Sequence, residues 1–180
     1  METKTTNIQD GQVFEIAGIE FIKFPATAEG VPVVAKNLQK TMEFGDNNDF
    51  RSSKVLAWLQ EKFLPKIVAT IGEENLVQFK TDLTTLDGQK NYGAVEAKIS
   101  LPTLDFYRAN AEIFRAHPVT GWWWLATPES CEPYGSEDWT LCVVPSGRIN
   151  DFYFCSFNGH GVRPFLILKS SIFRSLESGQ

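Results

Sequence analysis

The side chains that could make or break bonds are few, and their spacing does not assemble them. The three cysteines, Cys131, Cys142 and Cys155, match neither a CxxC metal knuckle nor a redox pair. Each sits among apolar or aromatic neighbours, which favours an inert thiol over an activated one. Three reduced thiols in a reducing compartment are expected, with a Cys142–Cys155 bridge across neighbouring strands as the other arrangement open to them. His117, before Pro118, falls at a predicted helix end, where a cation suits the terminal carbonyls. His160, in the turn Asn158-Gly159-His160-Gly161, is expected to be exposed and better suited to contact than to a triad. With no G-x-S-x-G elbow, no H-E-x-x-H and no P-loop, the chain shows no catalytic set and reads as a non-enzyme.

The closing third offers contact chemistry instead. Trp139, Arg148, Asn150, Phe152, Phe154, Ser156, Asn158 and His160 mix rigid rings with adaptable hydrogen-bonding groups, as paratopes do. A two-residue period puts Arg148, Asn150, Phe152, Phe154 and Ser156 on one strand face. Tyr134 and Tyr153 complete the candidate ligand-binding set. The opposite assignment, with Phe152 and Phe154 toward the core and Tyr153 outward, satisfies the same period.

Composition narrows the classes. One domain of 180 residues can bury a core without metal or disulfide staples. A net charge of −5 lacks the basic stripe of a phosphate-tracking protein, so direct nucleic-acid binding is not expected. It leaves room for a small acidic inhibitor of a host or defence protein. No apolar run is long enough to span a bilayer, and METKTTNIQDG carries no signal core. The expectation is a chain that is cytoplasmic as synthesised and could end on a virion or cell surface.

The elements that must position these residues follow from patterning. Residues 1–10 read as a flexible N-terminus and 11–175 as one domain. Val13–Phe24 alternates around Ala17-Gly18 as a hairpin. Val31–Ala35 is a buried strand. Ser52 or Ser53 caps a helix over Lys54–Phe63, which Pro65 should stop. A short helix after Gly72, a loop or hairpin tip over residues 81–93, a strand over Val95–Leu101 and a helix from Pro102 to about Arg115 come next. Leu141–Val144, Arg148–Ser156 and Val162–Leu168 are expected strands, with turns at Pro145-Ser146-Gly147 and at 158–161. Strands, helices, then strands define an α+β domain with mixed antiparallel sheets and two or more helices.

Three segments together, NDFRSSKVLAWLQEKFL, WWWLATP and GRINDFYFCSFNGHGVRPFLIL, resemble a family of uncharacterised bacterial and phage domains. That family carries W-W-L-R-S-P and G-V-R-P-A-L elements and is similar to the C-type-lectin-like fold, shared with formylglycine-generating enzymes and retroelement-diversified proteins. Here Ala126-Thr127 stands in place of Arg-Ser, and Phe165 in place of Ala. The resemblance implies a C-type-lectin-like domain in which Trp122, Trp123, Trp124, Gly161, Arg163 and Pro164 are the constant frame. Gly161 is expected at positive φ, and Arg163 is expected to be paired and to tie the frame's ends together. A variable surface would then meet a protein or glycan ligand. Similarity to calcium-dependent lectins further implies a metal set of Glu132, Glu137, Asn150 and Asp151, although Tyr134 stands where those lectins place an asparagine. The formylglycine-generating oxidases need a close reactive cysteine pair, which the spacing here does not provide.

Overall fold

The alternating segment at the start folds as expected: β1 (Val13–Ile16) and β2 (Ile19–Lys23) pair antiparallel, with Ile16 opposite Ile19. Ala17 and Gly18 have φ of 56° and 74°, the double positive φ that a two-residue turn between twisted strands requires. β3 (Val31–Ala35) is buried at every position, matching its unbroken apolar run. The computed structural model describes residues 7–178; the side chains of Phe152 and of residues 175–178 lie outside that description, as do residues 1–6 of the expected flexible terminus. Residues 7–10 are described, and Asp10 is ion-paired with Lys23.

The remaining strands are β4 (Lys40–Thr41), β5 (Phe79–Asp82), β6 (Ala94–Ala97), β7 (Trp123–Pro128), β8 (Trp139–Val143), β9 (Ile149–Phe154), β10 (Gly161–Val162) and β11 (Phe165–Leu168). They form a four-stranded sheet β1-β2-β3-β11, a five-stranded sheet β4-β10-β7-β8-β9 and the hairpin β5-β6. The chain is therefore a single α+β domain. The expected strand Val162–Leu168 is in fact two, one in each large sheet. Pro164 has no N–H to give a ladder, and Arg163 turns inward, so G-V-R-P forms the corner where the chain changes sheets.

Ser53 caps α1 (Lys54–Trp58), its hydroxyl accepting from the Leu56 N–H at 3.0 Å. Pro65 does not stop the helix. A π turn over Leu59–Phe63 leads straight into α2 (Leu64–Ile71), in which Pro65 is the second residue. The Leu64 N–H bonds back to the Leu59 carbonyl, and this wider π turn is the irregularity through which the helix runs on past the proline. The expected helix to Arg115 is likewise two, α3 (Leu104–Ala109) and α4 (Ala111–Ala116). Asn110, at φ −124° and ψ 23°, breaks it while its amide donates to the Phe106 carbonyl at 3.0 Å. A last helix, α5 (Ser171–Ser178), packs Ile172 and Phe173 inward, Phe173 lying edge-on to Phe14.

β7 is buried along its length, and its two faces serve different cores. Trp124 and Ala126 join one apolar cluster with β3, α1 and α2; Trp123 and Leu125 join another with α3, α4 and β8. WWWLATP is thus the partition between two cores.

Candidate recognition surface

Arg163 holds the frame under the surface. It is 1% exposed; its Nε donates to the Ala35 carbonyl at 3.0 Å and its Nη2 to the Lys36 carbonyl at 2.9 Å. The guanidinium also lies over the rings of Trp123 and Phe114, at 4.9 and 5.4 Å. Burial lowers its pKa to about 10, which still leaves it charged near neutrality. Carbonyls and ring faces, not a carboxylate, compensate this cation. Next to it, the Gly161 N–H donates to the Trp122 carbonyl at 2.7 Å, and β10 runs parallel to β7. Gly161 is not among the residues at positive φ, contrary to expectation. Its requirement is close approach: a Cβ there would stand 2.5 Å from the Leu38 side chain. Pro164 offers its carbonyl to the Ala35 N–H at 2.9 Å.

His160 is buried rather than exposed, at 3%. Its ring lies 4.2 Å from Tyr153, 4.4 Å from Trp124, 4.8 Å from Phe157 and 5.3 Å from Trp122. Its Nε2 has no hydrogen-bond partner. Burial pulls its pKa down to about 4, so at neutral pH the imidazole is uncharged. The glycine-flanked turn suggested exposure, but the rings of β7 and β9 close over the side chain. His117 does end a helix, as C-cap of α4, and is half-buried there with Nε2 donating to the Gly11 carbonyl at 2.7 Å.

The outward surface forms where β8 and β9 meet. Trp139 and Phe154 face each other across the strands and stack, with centroids 4.1 Å apart and planes at 29°. Phe154 is 52% exposed and Phe157 40%. With Tyr153 and Ser156 they line an open groove of about 460 Å³. Tyr153 points the other way along the strand, into the Trp122–Trp124–His160 cluster, and is half-buried. The assignment with Phe154 in the core and Tyr153 outside is therefore wrong.

The shared face from Arg148 to Ser156 does not form. The pairing register shifts between Thr140 and Cys142, so β9 carries one extra residue. Asn150 pairs with Cys142, while Phe154 pairs with Trp139, which lies on the other face of β8. Asn150 is half-buried; Arg148, Ser156 and Asn158 are exposed; Tyr134 stands apart in the preceding loop at 84% exposure. The side chain of Phe152 lies outside the described residues.

The implied metal set is also spread out. Glu132, Glu137 and Asp151 are exposed, and Glu132-Pro133 is a cis peptide. Glu137 precedes Trp139 at one end of the β8–β9 ladder; Asn150 and Asp151 lie toward the other, roughly 13 Å along the strand. Among the described residues no three His, Cys, Asp or Glu side chains gather as metal ligands. The cysteines are three buried free thiols. Burial is the main cause raising the pKa of each, and that of Cys142 reaches about 12.

One residue that sequence reasoning passed over organises the loop before Trp139. Asn48 is wholly buried, and its amide donates to the carbonyls of Ser130 at 2.8 Å and Trp139 at 2.7 Å. Its N–H donates to the Glu137 carbonyl at 2.7 Å, and its Oδ1 accepts from the Tyr92 hydroxyl at 2.7 Å. In the sequence it is one of two adjacent asparagines in a turn-rich run, with nothing to mark it.

No family model, curated protein or solved structure matches the chain. Among the described residues no helix is long and apolar enough to cross a membrane.

Proposed function

We propose that the chain is a non-enzymatic recognition domain of C-type-lectin-like fold, which holds Trp139, Phe154 and Phe157 out to a protein or glycan ligand. The observation that carries this is the stacked, outward Trp139–Phe154 pair beside an open groove. Two large rings left half in water are a poor choice for stability alone and a good one for contact, because they offer area at little entropic cost. The partition strand β7 and the Arg163 corner supply the rigid support that such a surface needs. A phage or prophage origin, with this patch as the diversified part, fits the same division into frame and surface. Raised thiol pKa values and a neutral, acid-free His160 favour binding over catalysis. Calcium-dependent sugar binding draws no support from the separation of Glu137 from Asn150.

Alanine at both Trp139 and Phe154 tests the reading against a glycan array and a displayed peptide library. The wild-type chain should bind in one of the two panels, and the double variant should lose about a hundredfold in affinity while melting like the wild type. Binding that survives the double substitution, or no binding in either panel, would refute it.

A further inference from the structure

β9 ends the five-stranded sheet, and among the described residues no strand pairs with its outer side. The Cys155 N–H bonds to the Asp138 carbonyl at 2.9 Å, so the ladder's alternation turns the Phe154 N–H away from β8, toward the open side, while the Phe154 carbonyl there already accepts from the Phe157 N–H at 3.0 Å. Tyr153 and Phe154 are consecutive and point to opposite faces, yet both line the groove. The groove therefore lies at the C-terminal end of β9, where Ser156 and Phe157 follow the strand.

Charge along this edge is mostly acidic. Glu137 and Asp138 are exposed just before Trp139, and Asp151 is exposed on β9. Their field reaches inward: after burial, Asp138 is the next cause raising the Cys155 thiol, and Asp151 the next raising Cys142. Lys54 is engaged with Glu43 and Asp46. Arg148, exposed one residue before β9, is a cation at the end nearer Asp151, so the acidic excess is greatest beside Trp139.

We infer that β9 accepts an extended, cationic polypeptide segment of a partner protein as an added strand. Its main chain pairs with the strand's outer edge, an apolar or aromatic side chain enters the groove beside Trp139, Phe154 and Phe157, and Lys or Arg side chains meet Asp138 and Asp151. This rests on the recognition reading above and narrows it from protein or glycan to protein. A second copy of the chain fits poorly, because two β9 edges would set these acidic residues against each other. A sugar could stack on the rings but would leave the strand edge unused.

The test selects binders from a displayed library of random linear peptides on the full chain, with a glycan array run in parallel. Enriched peptides should combine Lys or Arg with an aromatic or branched apolar residue. Synthetic copies should lose about tenfold in affinity for the Asp138→Lys/Asp151→Lys double variant, and N-methylation of alternate peptide amides should abolish binding. Near-ultraviolet circular dichroism establishes that the variant keeps its fold. Peptides without a basic bias, or affinity unchanged by either the charge reversal or the N-methylation, would overturn the inference. Glycan binding that depends on Trp139 and Phe154, with no peptide enriched, overturns it and leaves the recognition reading standing. Silence in both panels overturns both.

Discussion

The Asn48 side-chain amide donates to the backbone carbonyl of Trp139 at 2.7 Å, across 91 residues of sequence. The same amide holds Ser130, so one buried side chain closes the loop that delivers the outward tryptophan. Tyr92 completes the site by donating to the Asn48 oxygen, and burial raises its pKa. Every polar atom of the Asn48 amide is thereby used, which is the condition for burying it without penalty.

Asn48→Ala should accordingly cost more than its size suggests. It leaves the Ser130 carbonyl and the Tyr92 hydroxyl without this partner, and the Trp139 carbonyl with the Glu129 N–H alone, at a total cost of about 3 kcal/mol. Urea unfolding measures it. A loss well under 1 kcal/mol would mean that water replaces the amide freely and that the loop does not depend on it. Ligand affinity should fall as well, because the Trp139 backbone loses its anchor.

His160 predicts how stability responds to acid. Its folded pKa of about 4 lies below the ordinary 6.5, so the unfolded chain takes up the proton first. The contribution is intact above pH 6.5 and is lost as pH falls toward 4, by roughly 3 kcal/mol in all. His160→Phe keeps a ring in the aromatic cluster and removes the titration. The wild-type chain should lose stability between pH 6.5 and 4.5 more steeply than this variant, measured by urea unfolding at each pH. Parallel curves would show that His160 titrates normally and is open to water.

Much of the fold was legible where a short-range rule was sufficient. The period of two gave the β1–β2 hairpin, an unbroken apolar run gave β3, and a serine before a helical stripe gave the cap at Ser53. The failures share a cause, namely partners distant in sequence. The His160 turn looks solvated until Trp122, Trp124 and Tyr153 close over it. The face of β9 looks continuous until the extra residue opposite β8 separates Asn150 from Phe154. Pro65 and Asn110 misled in opposite directions, because a π turn lets a helix run on past a proline and an asparagine amide can compete with the backbone mid-helix. Of the candidate site, Trp139 and Phe154 stood out in the sequence as separate contact residues, but their pairing across β8 and β9 did not. Nor did the Asn48 clamp, because a turn-former in a polar loop carries no mark of what it will hold.

The five tryptophans allow the central claim to be tested directly, since each gives one indole N–H resonance. Trp139 lies on the proposed contact surface, while Trp123 and Trp124 are locked in the partition between the two cores. Titrating an isotope-labelled chain with a peptide or glycan from the binding panels should move the Trp139 indole signal and leave those of Trp123 and Trp124 in place. A bound ligand that leaves Trp139 unmoved, or that shifts the two frame tryptophans instead, would contradict the account.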